Sequence, residues 1–189
     1  MLVPTQRKGL LRLACAYRTV SSAKVQAIVG IPPIDLLVEE RTAIHDSDPE
    51  QALELRRRLA RIRTLEEWKR RWEENADTSQ WTRTIISDLE AWVIFPHRRA
   101  EYFLTQFLSG HGSFNSYLCR IGRKKSDVCE QCQESDMPEH VMVHCPQFAD
   151  NKLRVETRIG IRITPTNLMG QMIRSKDNWD KFITGYERS

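Results

Sequence analysis

Four residues between positions 129 and 145 have the types and spacing to hold a metal ion. Cys129 and Cys132 are two residues apart, His140 follows after seven more and Cys145 after four, with His144 immediately before it. Zinc takes four tetrahedral ligands from thiolate and imidazole, and Cys-x2-Cys lets one tight turn aim two sulfurs at the same ion. The intervening QESDMPE is polar and contains a proline, so it can turn the chain and return His140 to the metal. The fourth ligand has two candidates. On an unbroken helix His140 and His144 share a face, whereas Cys145 lies about 140° around from His140. Pro146 disfavours helical dihedrals at Cys145, so a helix can end there and the thiolate can swing back. A thiolate also offsets more of the zinc charge. Cys145 is the preferred fourth ligand and His144 the alternative.

Other chemistries have less support. A redox pair built on Cys129 and Cys132 alone needs a βαβ setting that the surrounding sequence does not offer. A catalytic zinc keeps one position open for water, but this set supplies four protein ligands, so the expected cofactor is one structural Zn2+. The bland alternative is chance spacing with no metal. Cys15 and Cys119 fall in apolar helical patterns and read as core. His111, between two glycines, is a candidate phosphate or base contact, against the plainer reading of a turn histidine bonded to backbone. The five tryptophans read mostly as core, with base stacking the minority reading. There is no Asp-Asp pair, no phosphate-binding glycine loop and no Ser/His/Asp arrangement, so no catalytic centre is expected in this chain.

Helices must position these residues. Their periodicity predicts segments at Arg7 to Tyr17 (Leu10, Leu11, Leu13, Ala14 and Tyr17 inward), from Ser21 or Ser22 (Val25, Ile28, Val29), and from Ile34 to Ile44. Gly30, Pro32 and Pro33 separate the last two. Ser47-Asp48-Pro49-Glu50 reads as the start of a long amphipathic helix with the inward stripe Leu55, Leu59, Ile62, Leu65, Trp68 and Trp72. One helix is expected to join Trp81, Ile85, Leu89 and Trp92 before Pro96. Tyr102, Phe103, Phe107 and Leu108 lead to the Gly110-His111-Gly112 turn, and Phe114, Tyr117, Leu118 and Ile121 restart the pattern. After the Cys/His stretch come a helix at Phe148 to Ile159, a short extended piece at Ile161 to Thr164, and helices near Thr166 to Arg174 and Asp177 to Tyr186. The expected fold is mainly α and bundle-like, with one small zinc module and little or no sheet. It divides into helical segments at 1–46 and 47–127, the metal module at 128–150 and C-terminal helices at 151–189.

The formal charge of +4 is unevenly spread. Residues 56–71 hold eight Lys or Arg against two Glu, and no acid precedes Asp35. Arg56, Arg57, Arg61, Arg63, Lys69 and Arg70 on the long helix, with Arg120, Arg123, Lys124 and Lys125 before the metal module, are candidate nucleic-acid contacts beside His111. A solvated helix face is the plainer meaning of such a run. No stretch has the roughly 18 apolar residues of a membrane span. The chain is expected to be intracellular, in cytoplasm and nucleus, with RNA or DNA as partner and no membrane or small-molecule substrate. Its acid-free start also fits a mitochondrial transit peptide.

Several stretches carry a resemblance. WTRTIISDLEAW, FLTQFLSGHGSFNSYLCRIGRKKSDVCEQC and EHVMVHCPQF resemble the region downstream of the polymerase in the reverse-transcriptase proteins of non-LTR retrotransposons, of the insect ribosomal-DNA-inserting and Jockey-like clade. AYRTVSSAKVQAIVGIPPIDLLVEER resembles the segment after the polymerase thumb, which places 1–46 there. The resemblance implies a Cys-Cys-His-Cys zinc knuckle at Cys129, Cys132, His140 and Cys145. It also implies a C-terminal region that binds element RNA or target DNA while the polymerase copies RNA from a nicked chromosomal primer. The parent's polymerase and endonuclease residues have no counterpart here. The chain therefore reads as a C-terminal fragment or remnant partnered by the catalytic remainder, departing from the family pattern at VIFPHRR.

Overall fold

Why the chain folds as helices is clearest at their ends. A computed structural model describes residues 2–74 and 80–185. Within them α1 (Leu2–Leu13), α2 (Ser22–Val29), α3 (Ile34–Asp46) and α4 (Leu53–Glu74) precede α5 (Gln80–Ile85), α6 (Leu89–Ile94), α7 (Tyr102–Ser109) and α8 (Asn115–Arg120). Then come α9 (Pro138–Val143), a 3-10 turn at Pro146–Phe148, α10 (Ala149–Ile159), α11 (Leu168–Met172) and α12 (Lys176–Gly185). Among the described residues there is no strand, only an isolated antiparallel bridge between Val128 and Ser135. The fold is mainly α, as the periodicity predicts; Tyr186, the expected end of the last helix, lies outside the described residues. No helix among them is long and apolar enough to cross a membrane.

The main core gathers Trp68 and Trp72 of α4, Ile85 and Trp92 of α5 and α6, Leu104 and Leu108 of α7, and Trp179 and Phe182 of α12. Four of the five tryptophans are buried there, leaving little of them for base stacking. Trp92 is fully buried, donates from Nε1 to the Ala27 carbonyl at 2.9 Å and lies 5.7 Å from the Trp179 ring. A smaller core beneath α1 and α2 holds Leu10, Leu11, Ala14, Val20 and Val25.

Arg98, from the VIFPHRR stretch, fastens two helix ends. Its guanidinium donates to the Trp92 and Val93 carbonyls of α6 at 2.5 and 2.9 Å and to the Val29 carbonyl of α2 at 3.1 Å. A cation donating to terminal carbonyls satisfies acceptors that have no helical partner. Gly30 closes α2 at φ +71, and a Cβ there would come within 2.2 Å of that guanidinium, so both the left-handed turn and the close approach require glycine.

Several expectations are corrected. The long helix begins at Leu53: Asp48 turns its carboxylate onto the Glu50 N–H at 2.9 Å, and Ser47 donates back to Ala43, so SDPE closes α3 and forms a turn. Leu55, Leu59 and Ile62 of α4 point outward, while Ala60, Thr64, Trp68 and Trp72 are buried. At about 100° per residue Leu59 and Trp68 lie on opposite faces, so the six-residue stripe never formed one face. The expected Trp81-to-Trp92 helix is two helices, because Asp88 breaks it and caps α6 by accepting from the Ala91 N–H at 3.0 Å. Cys15 is exposed at φ +50; Cys15 N donates to Arg12 O and Ala16 N to Leu11 O, which makes it the left-handed closing residue of α1. Leu13, Tyr17, Tyr102, Phe103 and Ile121 are exposed, and Ile161 to Thr164 pairs with no strand.

Candidate metal centre

Backbone geometry sets the first two sulfurs. Gln133 N donates to Cys129 O at 2.9 Å, and Cys129 N donates to Glu134 O at 2.6 Å, tying residues 129–134 into a tight loop. Gln133 closes that loop at φ +61, a left-handed position unusual for a residue with a Cβ. The loop is clamped from outside: Asn115 Nδ2 donates to Val128 O at 2.7 Å, while Asp136 accepts the Asn115 N–H at 2.9 Å at the start of α8.

The other pair comes from the far end of α9. Pro138 opens this helix at its first turn, where its missing N–H costs nothing. His140 is buried on it, and the helix ends at Val143. His144 caps it and faces solvent, whereas Cys145, at φ −67 and ψ 120, has left helical dihedrals and returns inward with its N–H on the His140 carbonyl at 2.8 Å. Pro146 has the effect its position predicts.

The ligand atoms of Cys129, Cys132, His140 and Cys145 all lie within 4.8 Å of one another. Cys129 Sγ is 3.8 Å from Cys145 Sγ, and Cys132 Sγ is 3.3 Å from His140 Nε2. Zinc–sulfur bonds of about 2.3 Å in a tetrahedron imply S–S edges of about 3.8 Å, so the set has the dimensions and donor types of a closed zinc site. The loop also prepares thiolate: the backbone N–H of Gln131 foremost, then the His140 ring and the Cys132 N–H, bring Cys129 down to about 7. Burial pushes Cys145 up, against the opposing Gln147 N–H.

Glu134 is a participant the residue types alone did not single out. Its Oε2 lies 3.0 Å from His140 Nδ1, on the side of the ring away from Cys132, and so selects the tautomer that presents Nε2 to the site. An acid two residues after Cys132 was its only trace in the sequence. Glu134→Ala is expected to weaken zinc binding about tenfold, the lower end of such effects because this carboxylate is exposed. Competition with a chromophoric chelator measures it, and unchanged affinity would mean that packing alone orients His140.

The candidate basic contacts separate into two groups. Arg56 donates to Ile44 O, Arg61 pairs with Glu40 at 3.1 Å, Arg70 with Glu67 and Glu74, and Lys124 with Glu130 at 3.3 Å. Arg57, Arg63, Lys69, Arg120, Arg123 and Lys125 are exposed, with no ion pair among the described residues. His111 follows the plainer of its two readings, a turn histidine bonded to backbone. It is buried against Tyr117, 4.7 Å between rings, with Nδ1 2.8 Å from the Ser109 carbonyl, and burial holds it down to about 4, hence neutral and turned from solvent.

Comparison with known proteins finds relatives of the chain as a whole. The chain is 30% identical, over 86% of its length, to the Retrovirus-related Pol polyprotein from type-1 retrotransposable element R1 3 of Nasonia vitripennis. It is homologous to the Pol polyproteins of insect R1 retrotransposable elements. Two further R1 Pol polyproteins match: that of element R1 4 of Nasonia vitripennis, 26% identical over 79% of the chain, and that of R1 of Bradysia coprophila, 29% over 77%. The chain spans 46%, 42% and 16% of these three relatives, less than half of each. No family model and no solved structure matches.

Proposed function

We propose that this chain is a zinc-folded nucleic-acid-binding part of an R1-type polyprotein, without a catalytic centre of its own, that holds RNA or DNA for the polymerase carried elsewhere in the parent. It would support copying of element RNA from a nicked chromosomal target. The observation that carries this reading is the convergence of three cysteine sulfurs and one imidazole directly after the basic loop Arg120 to Lys125. A bound zinc would cross-link the loop to the end of α9 and offset most of the thiolate charge. The chain's own residues do the rest. Arg120, Arg123 and Lys125, with Arg57, Arg63 and Lys69 of α4, present charge to phosphates, and such contacts release counterions.

Affinity should therefore fall steeply with salt. The triple variant Arg120→Ala, Arg123→Ala, Lys125→Ala should reduce the slope of log K against log salt by about 2 to 3, near 0.7 to 0.9 for each phosphate left without its cation. Salt-independent binding, or binding unchanged after chelation, would sink the proposal.

One observation favours a second reading. The outward Leu55, Leu59 and Ile62 of α4 form an exposed apolar stripe, which suits a protein-interaction adaptor folded by zinc. A mobility-shift assay separates the two, since an adaptor shows no shift that depends on metal and disappears in Cys132→Ser.

A further inference from the structure

The loop between α8 and the metal module carries a serine that the chain holds on both sides but not at the residue itself. Arg123, Lys124 and Lys125 stand directly before Ser126, and residues 120–127 are all exposed. Behind the serine, Arg123 N and Lys124 N donate to Leu118 O at 2.8 and 3.2 Å; ahead of it, Asp127 O accepts from Asp136 N at 2.8 Å. Between those ties the backbone groups of Lys125 and Ser126 make no hydrogen bond among the described residues. The Ser126 hydroxyl accepts only the Val128 N–H, at a long 3.3 Å.

Arginine stands three residues before a serine or threonine at four places in the chain: Ser21, Thr64, Ser126 and Thr157. Their settings separate them. Ser21 is half-buried and caps α2 by accepting the Lys24 N–H, Thr64 is buried and donates to the Ala60 carbonyl, and Thr157 lies inside α10. A kinase cleft takes its substrate as an extended segment. Of the four, only Ser126 can supply one without breaking a helix or uncovering a buried side chain.

We propose that Ser126 is a phosphorylation site, served by a protein kinase that selects arginine three residues before its target, and that the phosphate draws the basic loop away from nucleic acid. The effect on binding rests on the nucleic-acid reading above. In the transfer, Ser126 Oγ bonds to the γ-phosphorus of a magnesium nucleoside triphosphate as the bond from that phosphorus to the bridging oxygen breaks. The nucleoside diphosphate leaves, and the hydroxyl proton passes to the kinase's aspartate. A phosphoserine carries about −1.5 to −2 charges at pH 7 and three strong acceptor oxygens. Arg123 and Lys125 are exposed and without an ion pair among the described residues, three and one positions away, so the new phosphate takes both. The strand loses two of its cations to an internal partner. The metal module keeps its frame, because the hydrogen bond from Asn115 Nδ2 to Val128 O at 2.7 Å and the bridge to Ser135 lie beyond Ser126.

The test treats the zinc-loaded full chain with an arginine-directed kinase and magnesium ATP and maps the product by peptide mass spectrometry. One phosphoryl group should appear, on Ser126, and Ser126→Ala should gain none. Anisotropy of a labelled oligothymidine dodecamer then reads the consequence. Affinity should fall about tenfold at low salt, and the slope of log K against log salt should shrink by about 1.4, near 0.7 for each of two cations withdrawn from a single strand. Kinase-treated Ser126→Ala should bind as the untreated parent does. No transfer to Ser126, or equally fast transfer to Ser21, Thr64 or Thr157, would overturn the proposal, as would a Ser126 phosphate that leaves affinity and slope unchanged. Transfer is read without nucleic acid, so the two readings fail separately. A chain that takes phosphate on Ser126 but binds the probe in neither state would overturn the nucleic-acid reading and the switch with it, and would support Ser126 as a modification site.

Discussion

Cys145→Ala will carry no zinc, and His144→Ala will carry one ion. Native mass spectrometry reads this directly as the mass of each folded variant. The two side chains are adjacent, but the end of α9 sends them in opposite directions: Cys145 Sγ lies inside the ligand cluster and His144 faces solvent. Three remaining ligands cannot close a structural site, and structural zinc in finger peptides binds with an apparent free energy of about 10–16 kcal/mol. Much of that stabilisation is at stake in Cys145→Ala. The damage should also spread beyond the loop. Met142 of α9 is part of the main core, and Val141 packs with Phe114 and Tyr117 of the neighbouring segment. Near-UV circular dichroism, dominated by the buried tryptophans, should therefore change in Cys145→Ala and stay as in the parent in His144→Ala. One ion retained by Cys145→Ala and lost from His144→Ala would reverse the ligand assignment.

The gathering of Cys129, Cys132, His140 and Cys145 was legible in the sequence because a candidate metal site imposes residue type and spacing at once, and few other settings ask for both. The end of α9 was legible through Pro146, whose effect on the preceding residue is local. What could not be read depended on the partner surface. The apolar residues of α4 occur at steps of three and four, yet of that stripe only Trp68, Trp72 and partly Leu65 turn inward, because α4, which packs on α3, buries the face that also carries Ala60 and Thr64. Single-helix periodicity does not say which face a neighbour will choose. Cys15 misled for a different reason: its apolar surroundings suggest core, but the two hydrogen bonds that close α1 place it at the left-handed position outside. His111 could have been a ligand contact on residue type alone. Its burial follows from Tyr117, whose ring lies 4.7 Å away and comes from beyond the turn. Nothing in the sequence singles out Arg98 within VIFPHRR, and only the meeting of the ends of α2 and α6 gives it three carbonyls to hold.

That meeting leads to the largest expected effect away from the metal. Trp92→Ala should cost about 3–5 kcal/mol, the range for removing a fully buried large aromatic side chain and leaving a cavity. For a chain of this size the midpoint of thermal unfolding should drop by about 6 to 20 °C. Trp92 binds three parts of the fold together: its indole donates to Ala27 of α2, its ring packs on Trp179 of α12, and the Arg98 guanidinium sits 6.0 Å from its centroid. Trp92→Phe separates these contributions. Phenylalanine restores most of the apolar volume but cannot donate, so the Ala27 carbonyl keeps only the Gly30 N–H at 3.1 Å. The expected cost of Trp92→Phe is about 1–2 kcal/mol for the hydrogen bond and the residual void together. Ile94→Ala, two residues on but exposed, should stay within about 0.5 kcal/mol of the parent. Chemical denaturation of the three variants side by side decides the matter. If Trp92→Ala loses no more than Ile94→Ala, the N-terminal helices and α12 do not share a core through this residue. If Trp92→Phe costs as much as Trp92→Ala, the hydrogen bond to α2, and not burial, is what Trp92 contributes.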